Sequence, residues 1–242
     1  MVAAPVSDTS SSGSSSSGLE APPAMNLAVV VGLYARHLAR LGLCDIAPTE
    51  SGGQCLGSGL YGSVYRVRDH VLKLTCDMNE AVASYQLVGR ESKRVVRIQS
   101  VACLKDTASE KLTEWFVVER ELLHPPSESD HRILTTLWNL YEKQQDLLIP
   151  TGHQMMSRWR NALPEDFSPR DRARAVFLLE ATAAGARELS QVGLQWSDFH
   201  PGNLMKRLNG NDKGGVYVIA DPGPGFTGWK KKRSIQIPVM RI

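Results

Sequence analysis

The sequence lacks a strong charge excess, paired cysteines and any long apolar run. Its formal net charge is only +3. A dedicated nucleic-acid binder concentrates a marked basic excess on one face, so nucleic acid is not an expected partner. The cysteines, Cys44, Cys55, Cys76 and Cys103, are scattered, with no close pair and no matching histidine spacing. That argues against a zinc site or a disulfide framework and for a reducing, cytoplasmic setting in which they are small core residues. The best apolar run, 27–33, falls far short of the roughly 18 residues a membrane span needs. It also follows a serine-rich stretch where a signal peptide has a short basic start. No membrane association is therefore expected, and secretion as an effector by a signal-independent apparatus stays open.

What is present suits a globular protein. The 242 residues, 42% of them hydrophobic, fit one domain of moderate size or two lobes with a cleft. Residues 1–24 are dominated by Ser, Gly, Pro and Ala and read as a disordered tail, since they cannot bury enough apolar surface to offset ordering. Sharper readings of that tail are a phosphoacceptor cluster, a secretion leader, or an extension upstream of a start at Met25. Residues 25–48 hold an expected helix over 26–43, with Asn26 as N-cap and Leu27, Val30, Val31, Tyr34, Leu38 and Leu41 at helical spacing.

Residues 49–124 read as a small first lobe. Its first strands lie within 54–74, interrupted by a glycine turn and by Arg68-Asp69-His70. A helix follows over 79–88, then strands at 95–104 and 113–119. Pro125-Pro126 mark a boundary. Residues 125–229 read as a mainly helical second lobe with helices at 131–141 and 169–192, then a short segment 204–206, a glycine-rich turn and a strand 216–220. Residues 230–242 read as a basic tail. Its run Lys230-Lys231-Lys232-Arg233 is read as solvated, with an acidic partner, nucleic acid or an import receptor as alternatives.

The chemistry-bearing residues occur in a meaningful order. Gly57-Ser58-Gly59-Leu60-Tyr61-Gly62-Ser63-Val64 matches G-x-G-x-x-G-x-V. Gly57, Gly59 and Gly62 would let backbone N–H groups approach phosphate oxygens, and Val64 would cover one face of an adenine. A plain hairpin turn is the alternative. The segment after it reads as a strand, which separates it from a dinucleotide fingerprint. Lys73, in an apolar strand, is either a solvent-facing edge lysine or the partner of the α- and β-phosphates. In the second case it needs a carboxylate, Glu80 first and Glu91 second. Backbone groups around Glu119 and Glu121 would read the adenine edge.

The turn Trp196-Ser197-Asp198-Phe199-His200-Pro201-Gly202-Asn203 and the later Asp221 supply the rest. Asp198 would orient a substrate hydroxyl, while Asn203 and Asp221 would hold magnesium. His200 would steady the transferred phosphoryl group or act as a structural hydrogen bonder. The expected cofactors are ATP and Mg2+.

These motifs, spanning Gly57 to Asp221, resemble the protein kinase-like fold. The similarity implies an α+β, two-lobed architecture with a small antiparallel-sheet N-lobe carrying one helix and a reduced, mainly helical C-lobe. Ser197-Asp198-Phe199-His200-Pro201-Gly202-Asn203 is closer to bacterial and phage branches and to small-molecule phosphotransferases than to eukaryotic kinases, which have His-Arg-Asp there. Val218-Ile219-Ala220-Asp221-Pro222 is similar to the Thr-Asp-Pro ending in the early protein kinases of short-tailed bacteriophages, which phosphorylate host proteins on serine and threonine. The resemblance thus implies a serine/threonine protein kinase with a host protein as partner, autophosphorylation included. Asp221-Pro222-Gly223 replaces the usual Asp-Phe-Gly, and no Ala-Pro-Glu follows. The alternatives are an aminoglycoside-type phosphotransferase and a non-catalytic kinase-like binding module.

Overall fold

A computed structural model describes residues 27–40, 53–59, 61–105, 112–143, 153–208, 215–223 and 236–241. In chain order these form α1 (Leu27–Arg40), β1 (Gln54–Gly59), β2 (Gly62–Val67), β3 (His70–Thr75), α2 (Met78–Leu87), β4 (Ile98–Lys105) and β5 (Leu112–Glu121). The helical part then supplies α3 (Glu128–Lys143), α4 (His153–Ala162) and α5 (Pro169–Gln191). A 3-10 turn (Pro201–Asn203) leads into β6 (Leu204–Arg207), β7 (Val216–Ile219) and β8 (Val239–Arg241). The fold is α+β, with a mostly antiparallel sheet in the order β1-β2-β3-β5-β4-β8 and a separate β6–β7 ribbon.

Strand alternation decides what the sheet presents to each side. Leu72 and Leu74 of β3 and Val117 of β5 point outward, onto Val30 and Leu33 of α1. The intervening residues face the other way, where Phe116 and Val118 meet Ala81, Ala83 and Leu87 of α2. Lys73 shares that inner face with Val71 and Thr75. This second cluster continues without a break into α3, α4, α5 and the β6–β7 ribbon.

Two seams join the sheet to the helical part. Val96 N–H donates to Ile219 O at 2.8 Å and Ile219 N–H to Arg94 O at 2.8 Å, so residues 94–96 lie beside β7. On the other side His124 and Lys206 exchange backbone bonds of 2.8 Å each. The buried Arg207 fastens both seams. It grips Glu121 through two nitrogens and donates to the carbonyls of Ser92 at 2.9 Å and Val95 at 2.8 Å.

Three findings depart from the sequence reading. The basic tail ends in β8, which pairs in parallel with β4, because Cys103 N–H meets Pro238 O at 2.8 Å and Ile237 packs on the core. Helix α4 was not expected; its apolar stripe is sparse, with Met156 and Trp159 buried and Leu163 buried just past its end. Strand β4 starts at Ile98 rather than at residue 95, since 94–96 are used by β7. The tail reading of 1–24, residues 41–52, and the run Lys230-Lys231-Lys232-Arg233 lie outside the described residues, as does Cys44.

The helical part is organised by one buried carboxylate. Asp130 of α3 accepts from Arg174 of α5 at 2.6 and 2.9 Å, from Ser127 at 2.8 Å and from the Tyr217 hydroxyl of β7, with Lys206 of β6 at 3.4 Å. The Arg174 hydrogen bonds outweigh burial and hold its pKa far below the ordinary value of 3.8. A depressed acid contributes stability above its unfolded pKa and loses that contribution as pH falls through its folded pKa. Asp130→Asn should therefore lower the unfolding free energy by about 3 kcal/mol at neutral pH. In urea titrations the gap to wild type should narrow progressively below pH 3.8.

Gly185 sits inside α5, where glycine costs about 1 kcal/mol relative to alanine. A Cβ there would stand 2.7 Å from Ile219 Cδ1 and 2.8 Å from Arg94 O, so the close approach of α5 to β7 requires its absence. Gly185→Ala should lose about 1–3 kcal/mol despite the better helix former, read as a lower urea midpoint.

Candidate active site

Asp77 caps α2, its carboxylate accepting from Asn79 N–H at 2.8 Å, and this places Glu80 in the helix's first turn. Glu80 is only 3% exposed, so its charge requires partners. Thr75 Oγ1 donates to Oε2 at 2.9 Å, and Lys73 Nζ lies 2.5 Å from Oε1. The same ammonium reaches Asp221 Oδ2 at 2.7 Å. Lys73 therefore bridges a helix carboxylate and a carboxylate at the end of β7. Glu91, the second candidate partner, is exposed in the loop beyond α2 and makes no ion pair with Lys73. The reason is local: Glu80 is one helical turn from the cap and directly under β3.

The two acids are driven in opposite directions. Burial raises the Glu80 pKa, and the nearby Asp221 adds to this against the pull of Lys73. Burial also opposes ionisation of Asp221, but Lys73 and Arg120 outweigh it and lower its pKa.

Asp221 is held by its neighbours. Trp196 Nε1 donates to Asp221 O at 2.9 Å, Arg120 Nη1 to Ala220 O at 2.9 Å, and Ala220 N–H to Asn203 O at 2.8 Å. Gly223 N–H reaches Asp221 Oδ1 at 3.2 Å. A Cβ on Gly223 would stand 2.9 Å from Glu80 Cβ, so the glycine lets this segment lie against α2.

The second wall is the turn after α5. Asn203 Nδ2 donates to Asp198 Oδ2 at 2.7 Å and to Asp198 O at 3.1 Å. An amide oxygen facing those two oxygens would be repelled, so Nδ2 faces them and Oδ1 is left free. Asp198 is exposed, yet partial desolvation, opposed by the Asn203 bond and assisted by Asp221, raises its pKa. His200 Nδ1 accepts from Gly202 N–H at 3.1 Å and its ring meets Trp138 edge-on at 5.0 Å. That is the structural hydrogen-bonding role, with Nε2 unengaged by it.

Between the walls lies a cavity of about 280 Å³ lined by Gly57, Val64, Lys73, Glu121, Asn203 and Asp221 of the expected residues. Gly59, Gly62, Glu80, Glu119, Asp198 and His200 do not line it. Glycine has different uses along the hairpin. A Cβ on Gly57 or Gly59 would meet nothing within 4 Å, whereas one on Gly62 would lie 1.9 Å from Leu74 O. Gly62 is thus needed where β2 packs on β3.

The edge-reading segment also shifts. Glu119 turns its side chain to Ser100 Oγ at 2.8 Å, off the cavity, and the Glu121 carboxylate and N–H are engaged by Arg207 and Arg97 O. The cavity wall is instead built by Arg120, Glu121 and Leu123. Sequence reasoning missed Arg120, Leu123 and Trp196. Alternation with Val118 on β5 was the signal that placed Arg120 inward, opposite Val71 in the ladder.

Among the described residues no group of three or more His, Cys, Asp or Glu side chains is placed to hold a metal. Two residues that line the cavity, Asp221 with its carboxylate and Asn203 with its amide oxygen, offer hard oxygens. They suit a magnesium ion whose other ligands are water and phosphate oxygens. Lys73 now supplies the positive charge beside Asp221 that such an ion would bring. No protein-family model and no curated protein matches the chain.

Removing the buried Glu80 carboxylate leaves Lys73 paired with Asp221 alone and the Thr75 hydroxyl without its acceptor. Glu80→Ala should cost about 1–3 kcal/mol. Glu91→Ala, at an exposed site, should stay within about 0.5 kcal/mol of wild type in the same denaturation assay.

Proposed function

We propose that this chain is an ATP- and Mg2+-dependent protein kinase that transfers the γ-phosphoryl group to serine or threonine of target proteins, within a protein kinase-like fold. The observation that carries the reading is the Lys73 ammonium, 2.5 Å from Glu80 and 2.7 Å from Asp221. Asn203, which lines the same cavity as Lys73, is joined to Asp198 at 2.7 Å. Phosphoryl transfer asks a protein for positioning and for charge stabilisation more than for covalent chemistry, and these groups supply both.

In this reading Gly57 and Val64 roof the nucleotide, with Leu123 and the backbone of 121–123 at the base edge. Lys73, kept in place by Glu80, would turn from Asp221 to the α- and β-phosphates. Asp221 and Asn203 would hold magnesium, which would screen the phosphate charge when bound. Asp198, its pKa raised by partial desolvation, would orient the acceptor hydroxyl and take its proton. His200 would act through the turn it hydrogen-bonds, positioning Asp198 and Asn203. The resemblance to early kinases of short-tailed bacteriophages extends the proposal to a host protein as substrate and to the host cytoplasm as the setting. No described helix is long and apolar enough to cross a membrane.

The purified chain incubated with labelled ATP and Mg2+, alone, with a bacterial lysate and with an aminoglycoside panel, should label serine or threonine in protein. Asp198→Asn should reduce that rate by about 10²–10⁴-fold. The wild-type rate should fall on the acid side at a pH above 3.8, the ordinary value for an aspartate. Label found only on small molecules would move the assignment to a small-molecule phosphotransferase. Neither transfer nor nucleotide-dependent thermal stabilisation would leave a binding module.

A further inference from the structure

A second, wider cavity of about 910 Å³ opens where the first turns of α3 and α5 meet β6. Four cations line it, Arg132, Arg170, Arg174 and Lys206, against the carboxylates of Asp130 and Asp171. Both acids are already engaged. Asp130 holds Arg174, Tyr217, Ser127 and Lys206, and Asp171 accepts from Ser168 Oγ at 2.6 Å. Two of the cations form a fixed floor: Arg174 lies 4.6 Å from the Phe177 ring centroid and Lys206 5.2 Å from that of Tyr217. The other two, Arg132 and Arg170, are exposed at the rim and make no ion pair among the described residues. The hydroxyls of Ser127, Ser129 and Ser168 complete the lining.

We propose that this basic cavity docks an acidic segment of the phosphoacceptor protein, an inference that rests on the kinase reading above. The charge asymmetry favours carboxylates, and the open mouth suits an extended chain. Helix α3 connects the cavity to the catalytic turn. Asp130 lies at the cavity, whereas Trp138 touches His200 at 5.0 Å and the Tyr141 hydroxyl donates to Ser197 O at 3.0 Å. At 1.5 Å per helical residue that separation is about 12–16 Å. An extended peptide covers it in roughly four to five residues. Acidic residues are therefore expected about that far from the acceptor hydroxyl.

The test uses the full chain and fluorescent peptides with one serine and a run of four glutamates starting five residues away, on either side, beside glutamine versions. Anisotropy without nucleotide should show at least one glutamate peptide binding roughly tenfold more tightly than its glutamine version. The double variant Arg132→Glu/Arg170→Glu should lose that difference while keeping its urea midpoint, because both side chains are exposed. Lys73→Met should keep peptide binding and lose transfer. Equal binding of glutamate and glutamine peptides, or binding indifferent to the double variant, would overturn the proposal. So would displacement by micromolar inorganic phosphate or by a single-stranded oligonucleotide in preference to the peptide. Glutamate-specific binding in a chain that transfers no phosphate would support the docking surface and count against the kinase reading. Transfer without acidic preference would do the reverse.

Discussion

Everything in the cavity depends on one ammonium shared by two carboxylates. Glu80 is nearly sealed from water and Asp221 is largely so, and neither can be ionised there without a cation at contact distance. Lys73 meets both needs at once. It thereby ties β3 and α2 of the sheet part to the end of β7. The elements on either side of the cavity are consequently registered to each other by electrostatics before any ligand arrives. Arg120 makes that arrangement tolerable: its guanidinium lowers the pKa of both acids and hydrogen-bonds the carbonyl just before Asp221.

The same economy of charge recurs elsewhere. Asp130 unites α3, α5, β6 and β7, and Arg207 unites β6, the end of β5 and the 92–95 loop. Each is a buried ionic group with its hydrogen-bonding capacity used by several elements. Such hubs fix where elements sit more than they add net stability. In a chain with a serine-rich start and a short helical part, they specify the geometry that a larger apolar core would otherwise impose.

How far the sequence spoke for the structure varied with the range of the interaction. Strand and helix identities from residue 54 to 105 follow from period-two and helical spacing, so Lys73 was found in its apolar strand after the glycine loop and Glu80 early in the helix that follows. The turn from Ser197 to Asn203 is compact, and its Asp198–Asn203 contact is likewise short in sequence. Arg120 and Trp196 were missed because their meaning lies in backbone carbonyls 100 and 25 residues away. The neighbourhood of Trp196 carries no sign of this, and that of Arg120 only its alternation with Val118. Glu119 was read for its backbone; alternation on β5 sends its side chain to Ser100, away from the cavity. Gly62 of the loop pattern carries a packing requirement that the pattern does not show, the proximity of a β3 carbonyl. Strand β8 was invisible because three residues at a sheet edge carry no period.

The double seam between the sheet and the helical part has a kinetic consequence. With 94–96 bonded into β7 on one side and His124 bonded to Lys206 on the other, the two parts cannot gape apart without breaking backbone bonds at both ends of the cleft. Strand β1 is exposed along its whole length and lies at the edge of the sheet, paired with β2. A widening of the cavity that spares both seams falls to the β1–β2 hairpin, as the lifting of a flap and not the opening of a jaw. Cys76 N–H, bonded to Tyr61 O at 2.9 Å, sets the base about which that hairpin bends.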